Sequence, residues 1–270
     1  MPTIKVRDHN LYYEIHGAGE PLLMIMGLGA SHAAWNPELV GELARSFGVI
    51  IFDNLGTGLS DKPADGYSIE GFADDADALL EALGHPRAHV FGVSMGGMIA
   101  QELVLRHPAR VHSLTLGCTT AGGRNAIPAP PESMKLLSMP RGDASEEDLI
   151  RRGWPLAYTE SYRMNHIAEL EATIPRLLAN PTPARVVRGH LEATFKFKTF
   201  DRLPNITAPT LAVTGAEDVL IPPGNSEIIA GRIPGAEFHL IPNVAHSFFN
   251  EAPREFAAVL TPFLRAHPIR

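Results

Sequence analysis

The chain has 270 residues, 45% of them hydrophobic and 20% charged, the make-up of one large α/β domain or of such a core carrying an insertion. Its net charge of −7 and the absence of any Lys/Arg run argue against nucleic acid and against an anionic membrane surface as partners. A single cysteine, Cys118, excludes an internal disulfide, and the absence of both a signal-like apolar core at the start and a membrane-length apolar run makes a cytoplasmic enzyme the expectation.

Thr3 to Val6 and Asn10 to Ile15 read as two short strands around a turn at Asp8-His9-Asn10. Leu22 to Met26 is apolar throughout, as suits a strand covered on both faces. The loop Gly27-Leu28-Gly29-Ala30-Ser31-His32 follows, then a helix from about Asn36 to Arg45. Gly48 to Asp53 is a second buried strand, ending in the Gly-rich turn Asn54-Leu55-Gly56-Thr57-Gly58-Leu59-Ser60. Between Ser68 and Leu83, the residues Ile69, Phe72, Ala73, Ala76, Leu79, Leu80 and Leu83 line one face of a helix with Ser68 as its cap. Asp74, Asp75 and Asp77 are expected on its solvated side.

Ala88 to Phe91 is another apolar run. It leads into Gly92-Val93-Ser94-Met95-Gly96 and then the helical stretch from Gly97 to Leu105. A serine at the apex of a sharp strand-to-helix turn, with glycine two residues to either side, is the pattern of a nucleophile elbow. The flanking glycines are needed because a side chain there would strike the neighbouring strand or helix. Val111 to Gly117 is the next strand. Strand-helix alternation of this kind predicts a mostly parallel sheet with helices on both faces.

The rhythm breaks at the Gly/Pro-rich stretch 122–131. The reading is a first core segment over 1–121, an inserted helical cap over 122–203, and a second core segment over 204–270. Within the cap, Trp154, Tyr158, Tyr162 and His166 recur every four residues and are expected on one helix face. That face either packs on the core or forms an aromatic lid over Ser94. After the cap come a strand at Thr210 to Thr214, a helix opened by Pro222-Pro223, a strand at Glu237 to Ile241 and a final helix burying Phe256, Val259, Leu260, Phe263 and Leu264.

A serine hydroxyl attacks a carbonyl only when a base takes its proton, and the base needs an anion to fix its tautomer. Asp218 and His246 follow the last two strands directly, so Ser94, Asp218 and His246 occur in nucleophile, acid, base order. Glu217 is the rival acid. Cys118 reads as a small buried residue on the site wall. No His/Cys cluster or H-E-x-x-H signals a metal, and no cofactor is expected.

Met26-Gly27-Leu28-Gly29, Asp53 to Ser60, Gly92 to Gly97, Gly215 to Asp218 and Ala245-His246 together resemble the α/β-hydrolase superfamily, in its esterase, lactonase and haloperoxidase-like branch with a helical cap. The resemblance covers about residues 10–120 and 203–265. It implies an eight-stranded, mostly parallel sheet and a carboxylesterase working through an acyl-enzyme, with the backbone N–H groups of Met95 and Leu28 as the oxyanion hole. Lactone, C–C bond and peroxide-dependent chemistry on the same triad stay open as alternatives, as does a non-catalytic ligand receptor. The partner implied is a small ester with a hydrophobic part, against a pocket assigned to His32, Trp154, Tyr158 and Tyr162. A cap-mediated homodimer is left open. The chain departs from the family at Met26, where histidine is usual, and at Leu55, where arginine is usual, which predicts a more apolar loop packing than the family norm.

Overall fold

The computed structural model describes residues 2–140 and 142–269; residues 1, 141 and 270, which include the outer ends of the two core segments, lie outside it. β1 (Thr3–Val6) and β2 (His9–His16) form an antiparallel hairpin. β3 (Glu20–Ile25), α1 (Pro37–Leu43), β4 (Phe47–Phe52), α2 (Ile69–Ala82), β5 (Ala88–Val93), α3 (Met95–Arg106) and β6 (Val111–Gly117) then alternate strand and helix. Among the described residues five helices follow with no named strand between them: α4 (Pro131–Leu137), α5 (Glu146–Ala157), α6 (Glu160–Asn165), α7 (Ile167–Leu178) and α8 (Ala184–Lys196). β7 (Thr210–Gly215), α9 (Gly224–Arg232), β8 (Glu237–Ile241), α10 (Phe248–Glu251) and α11 (Pro253–Ala266) complete the chain. None of the helices among the described residues is long and apolar enough to cross a membrane.

The eight strands lie in the order β1-β2-β4-β3-β5-β6-β7-β8. β2 pairs antiparallel with β1 and β4, and every later pairing is parallel. Side chains alternate across a strand, so an uninterrupted apolar strand feeds two cores at once. Leu23, Ile25, Ile50 and Val90 pack with Phe72 and Leu79 of α2 and Ile99 and Leu103 of α3. Leu22, Met24, Val49 and Phe91 pack on the opposite face with Leu39 of α1 and Phe256, Leu260 and Phe263 of α11. Burial of each such side chain contributes about 1.5–3 kcal/mol. Val259, expected on the buried face of α11, is only partly covered.

The helix caps follow local chemistry. The Ser68 hydroxyl accepts from Gly71 N at 3.0 Å, and the chain leaves α2 through Gly84, whose φ of +76° a side chain would resist. Asp75 corrects the expectation of a solvated acidic face. The β1–β2 turn covers that part of α2, so Asp75 is buried and paired with Arg7 at 2.8 Å and His9 at 3.2 Å. Burial is the dominant influence and raises its pKa, against the pull of the two bases.

After β3 the chain moves to β4 on one side of the sheet, then returns to β5 on the other. The resulting crevice at the carboxyl ends of β3 and β5 is where a doubly wound sheet receives ligands.

Candidate active site

Ser94 is the single residue between β5 and α3, held at φ +56° and ψ −122°. A non-glycine residue there is strained, and the surrounding backbone explains why it stays. A Cβ on Gly92 would lie 2.2 Å from Gly96 O, and one on Gly96 would lie 2.1 Å from Ile25 O of β3. Strand and helix are therefore too close for any other residue at either position, and the turn cannot relax. Ser94 O accepts Gly97 N at 3.0 Å and the Thr119 hydroxyl at 2.7 Å, which ties the turn to the end of β6. The Ser94 hydroxyl is partly exposed and makes no hydrogen bond among the described residues.

The loop after β3 lies against Ser94: a Cβ on Gly27 would stand 3.1 Å from Ser94 Cβ. This loop turns tightly, with Ala30 N–H donating to Gly27 O at 3.3 Å and Gly29 at φ +66°. Neither Leu28 N–H nor Met95 N–H donates to another group among the described residues. Met95 opens α3, where the first N–H groups lack helical partners and the helix dipole favours negative charge.

Asp218 stands in the loop after β7. Its Oδ1 accepts Leu220 N and Ile221 N, both at 2.8 Å, and its Oδ2 lies 2.8 Å from His246 Nδ1. Two amide donors fix the carboxylate before it meets the ring. The neighbouring Glu217 is exposed. The loops after β7 and β8 touch directly, since a Cβ on Gly215 would fall 2.3 Å from Ala245 O. Burial works against the charged imidazole of His246, but the Asp218 carboxylate together with Cys118 outweighs it, and the ring's pKa stands well above the ordinary value of 6.5.

Cys118 completes this corner. It follows β6 at φ +42°, is fully buried, and places Sγ, an Asp218 carboxylate oxygen and a His246 ring nitrogen within 4.8 Å of one another. These are the side chains among the described residues that cluster as metal ligands could. A metal would require a thiolate and free oxygens. Burial instead raises the thiol pKa, and the Asp218 oxygens already hold two amides and a histidine. The arrangement suits proton transfer.

Of the four residues assigned to a pocket, His32 has its ring held by Asp53. Its Nδ1 lies 2.8 Å from Asp53 Oδ1, which also accepts the His32 N–H at 2.6 Å, and its ring packs on Tyr12 at 4.6 Å. Burial disfavours its charged form, yet Asp53 overrides this and raises its pKa. Trp154 on α5 is buried against Leu170 and Ile174 of α7. The expected single helix face is corrected. The chain is extended at Tyr158 and Thr159, where Thr159 caps a new helix by accepting Tyr162 N at 3.1 Å. Tyr158, Tyr162 and His166 still stack face to face, at 5.5 and 4.2 Å between successive rings, across the break. The Tyr158 hydroxyl accepts from Asn250 Nδ2 at 3.4 Å, which puts this stack beside the His246 loop.

Two polar residues that sequence reasoning missed bind the helical insertion to the site loops. Glu251 accepts Ala245 N at 2.8 Å and the Thr159 hydroxyl at 2.8 Å, while Ser247 N donates to Ala157 O at 2.7 Å. His190 of α8 reaches both the Gly27–Ala30 turn and Leu55. Together with Asn54 Nδ2, which donates to Met26 O at 2.9 Å, it corrects the expectation of apolar loop packing: polar anchors are present but come from other positions. Glu251 carries no motif. The signal for His190 was its place four residues after Val186 and three before Ala193 on the apolar stripe of α8.

The family model for the α/β-hydrolase fold matches residues 20–253. RutD of Azorhizobium caulinodans, a protein assigned provisionally as a carbamate hydrolase, is 33% identical over 97% of this chain and 98% of its own length. A thermophilic esterase from Thermogutta terrifontis superposes with a TM-score of 0.83 at 26% identity, covering 100% of both chains. Est816, described as an N-acyl homoserine lactone degrading enzyme, is 30% identical with a TM-score of 0.75, over 97% of this chain and 100% of its own.

Proposed function

The chain belongs to the α/β-hydrolase family, and from that premise we propose that it is a serine hydrolase opening carboxylic esters through an acyl-enzyme. The reading is supported by the strained Ser94 at the mouth of the β3–β5 crevice and by the Asp218–His246 pair, whose neighbour Cys118 also reaches the Ser94 backbone. Ser94 Oγ attacks the carbonyl carbon. His246 takes the hydroxyl proton and returns it to the departing alkoxide, then activates water to release the acid. Asp218 holds the ring in the tautomer with Nδ1 protonated and stabilises its charged form. In a free enzyme the serine-to-histidine contact is commonly loose and tightens only on the substrate.

The N–H groups of Met95 and Leu28 receive the developing oxyanion, and each contributes about 3 kcal/mol to lowering the barrier. Among the described residues neither amide donates to another protein group, so neither gives up a protein hydrogen bond to do this. The substrate's hydrophobic part rests against the stacked Tyr158 and Tyr162 beside the His246 loop. A second reading, hydrolysis of a lactone by the same steps, is supported by the 30% identity to Est816. A carbamate, as the RutD assignment suggests, would need the same nucleophile and oxyanion donors.

A panel of p-nitrophenyl esters, N-acyl homoserine lactones and aryl carbamates tests these readings. Turnover of p-nitrophenyl acetate should fall to background in Ser94→Ala while the circular dichroism spectrum is unchanged. Undiminished turnover in that variant would refute the mechanism.

A further inference from the structure

The oxyanion role proposed for Leu28, on which this inference rests, depends on the orientation of a short turn whose own sequence is flexible. Gly27-Leu28-Gly29-Ala30 closes with one 3.3 Å hydrogen bond and carries a positive φ of +66° at Gly29, as the third residue of a type II turn does. In such turns the central peptide, here between Leu28 and Gly29, is the unit that rotates most easily. Its N–H is the group that His190 holds.

His190 is fully buried, and both ring nitrogens are used. A carbonyl can only accept, so the 3.0 Å contact with Leu55 O makes Nε2 the protonated nitrogen. Nδ1 then carries the lone pair, and Gly29 N–H donates to it at 3.4 Å. Tyr67 and Phe72 meet the ring edge-on at 5.1 and 4.9 Å and fix its plane. Burial pushes its pKa below the ordinary value despite the Leu55 carbonyl, which keeps the ring neutral and the acceptor available.

The helix carrying His190 lies directly on both loops. A Cβ on Gly56 would stand 2.4 Å from Val186 Cγ1, a Cβ on Gly29 would stand 3.3 Å from Val187 Cγ2, and a Cβ on Gly189 would stand 2.5 Å from Tyr67. The ring is therefore delivered by a firmly seated element and has no room to turn away. We propose that His190 is a positioning residue: from α8 it anchors the Leu28–Gly29 peptide, so the turn cannot shift and the adjoining Gly27–Leu28 peptide keeps its Leu28 N–H at the crevice, toward the oxyanion. The seating of the helical insertion and the assembly of the oxyanion hole are in this way one event.

The test compares His190→Gln, whose amide offers one donor and one acceptor, with His190→Leu, which fills the space but offers neither. In His190→Leu, kcat for p-nitrophenyl acetate should fall about 30-fold with KM within about twofold, because a misdirected donor is felt in the transition state and hardly in the ground state. Affinity for a trifluoromethyl ketone inhibitor should fall by the same factor. His190→Gln should recover most of both losses. Hydrogen exchange at the Gly29 amide should rise at least tenfold in His190→Leu and stay near wild type in His190→Gln.

Equal losses in the two variants, a rise in KM at constant kcat, or unchanged Gly29 exchange would overturn the proposal. Should His190→Leu fail to fold, nitrogen-15 chemical shifts of the wild-type ring decide: protonation at Nδ1 rather than Nε2 overturns it. Absence of Ser94-dependent ester turnover in the wild type would instead overturn the esterase reading, and the exchange and nitrogen-15 measurements would still report on His190.

Discussion

Two parts of the site are held by different kinds of force. At the strand ends, Ser94, Asp218 and His246 are fixed by backbone lying against backbone: Gly92 on Gly96, Gly96 on Ile25, Gly215 on Ala245. Where the helical insertion meets the core, the same site is held by polar side chains reaching across: His190 to Gly29 and Leu55, and Thr159 to Glu251. Close backbone packing is bistable, correct or lost, because interiors are nearly incompressible. Hydrogen bonds between loops are graded, each worth about 0.5–1.5 kcal/mol net. Ser94, Asp218 and His246 are accordingly built on the rigid part, and the Gly27–Ala30 turn and the His246 loop are trimmed by the adjustable part.

That contrast can be broken most violently at Gly96. The added methyl of Gly96→Ala cannot coexist with Ile25 O at 2.1 Å, so strand and helix must part. We expect a loss of more than about 3 kcal/mol and little soluble protein. A melting temperature within a few degrees of wild type would contradict this.

A change in chemistry without a change in packing comes next. In Asp218→Asn the carboxamide fits the same space, but it stabilises the wrong imidazole tautomer and removes the countercharge. kcat should fall about 10⁴-fold with the melting temperature nearly unchanged. The pH profile gives the sign. Only the neutral imidazole accepts the serine proton, so activity is lost as pH falls through the His246 pKa. Because Asp218 raises that pKa, half-maximal kcat/KM in the wild type should lie above pH 6.5, and the residual activity of Asp218→Asn should have its midpoint shifted to lower pH. An unmoved midpoint would show that Asp218 does not govern the ring.

The smallest effect is expected at the junction with the insertion. Glu251→Ala leaves Ala245 N–H and the Thr159 hydroxyl without their acceptor. About 2 kcal/mol of stability should go, with a kcat loss of about tenfold. Denaturant unfolding and steady-state kinetics measure both. A kcat loss approaching that of Asp218→Asn would erase the distinction between the two regions.

Legibility in the sequence follows the same division. The strands were readable because an apolar run flanked by glycine permits little else, and the element order that follows from them places the crevice beside Ser94. The elbow and the residues after β7 and β8 could be located by their position at strand ends. Asp75 was misread because helical periodicity marks a face without knowing that the β1–β2 turn covers it. The aromatic series from Trp154 to His166 was misread because its spacing is helical while the backbone at Tyr158 and Thr159 is extended. For His32 the sequence carries no sign of its ring's partner, because Asp53, which holds it, lies 21 residues on.

By itself the sequence determined the alternation of strands and helices, the sharp serine turn, and the order in which Asp218 and His246 follow it. These are local consequences of apolar spacing and of glycine where no side chain fits. Tertiary structure alone decided that His190 and Glu251 tie the helical insertion to the site loops. Those contacts join residues tens to more than a hundred positions apart, and a hydrogen bond across such a separation leaves no periodicity for a sequence to carry.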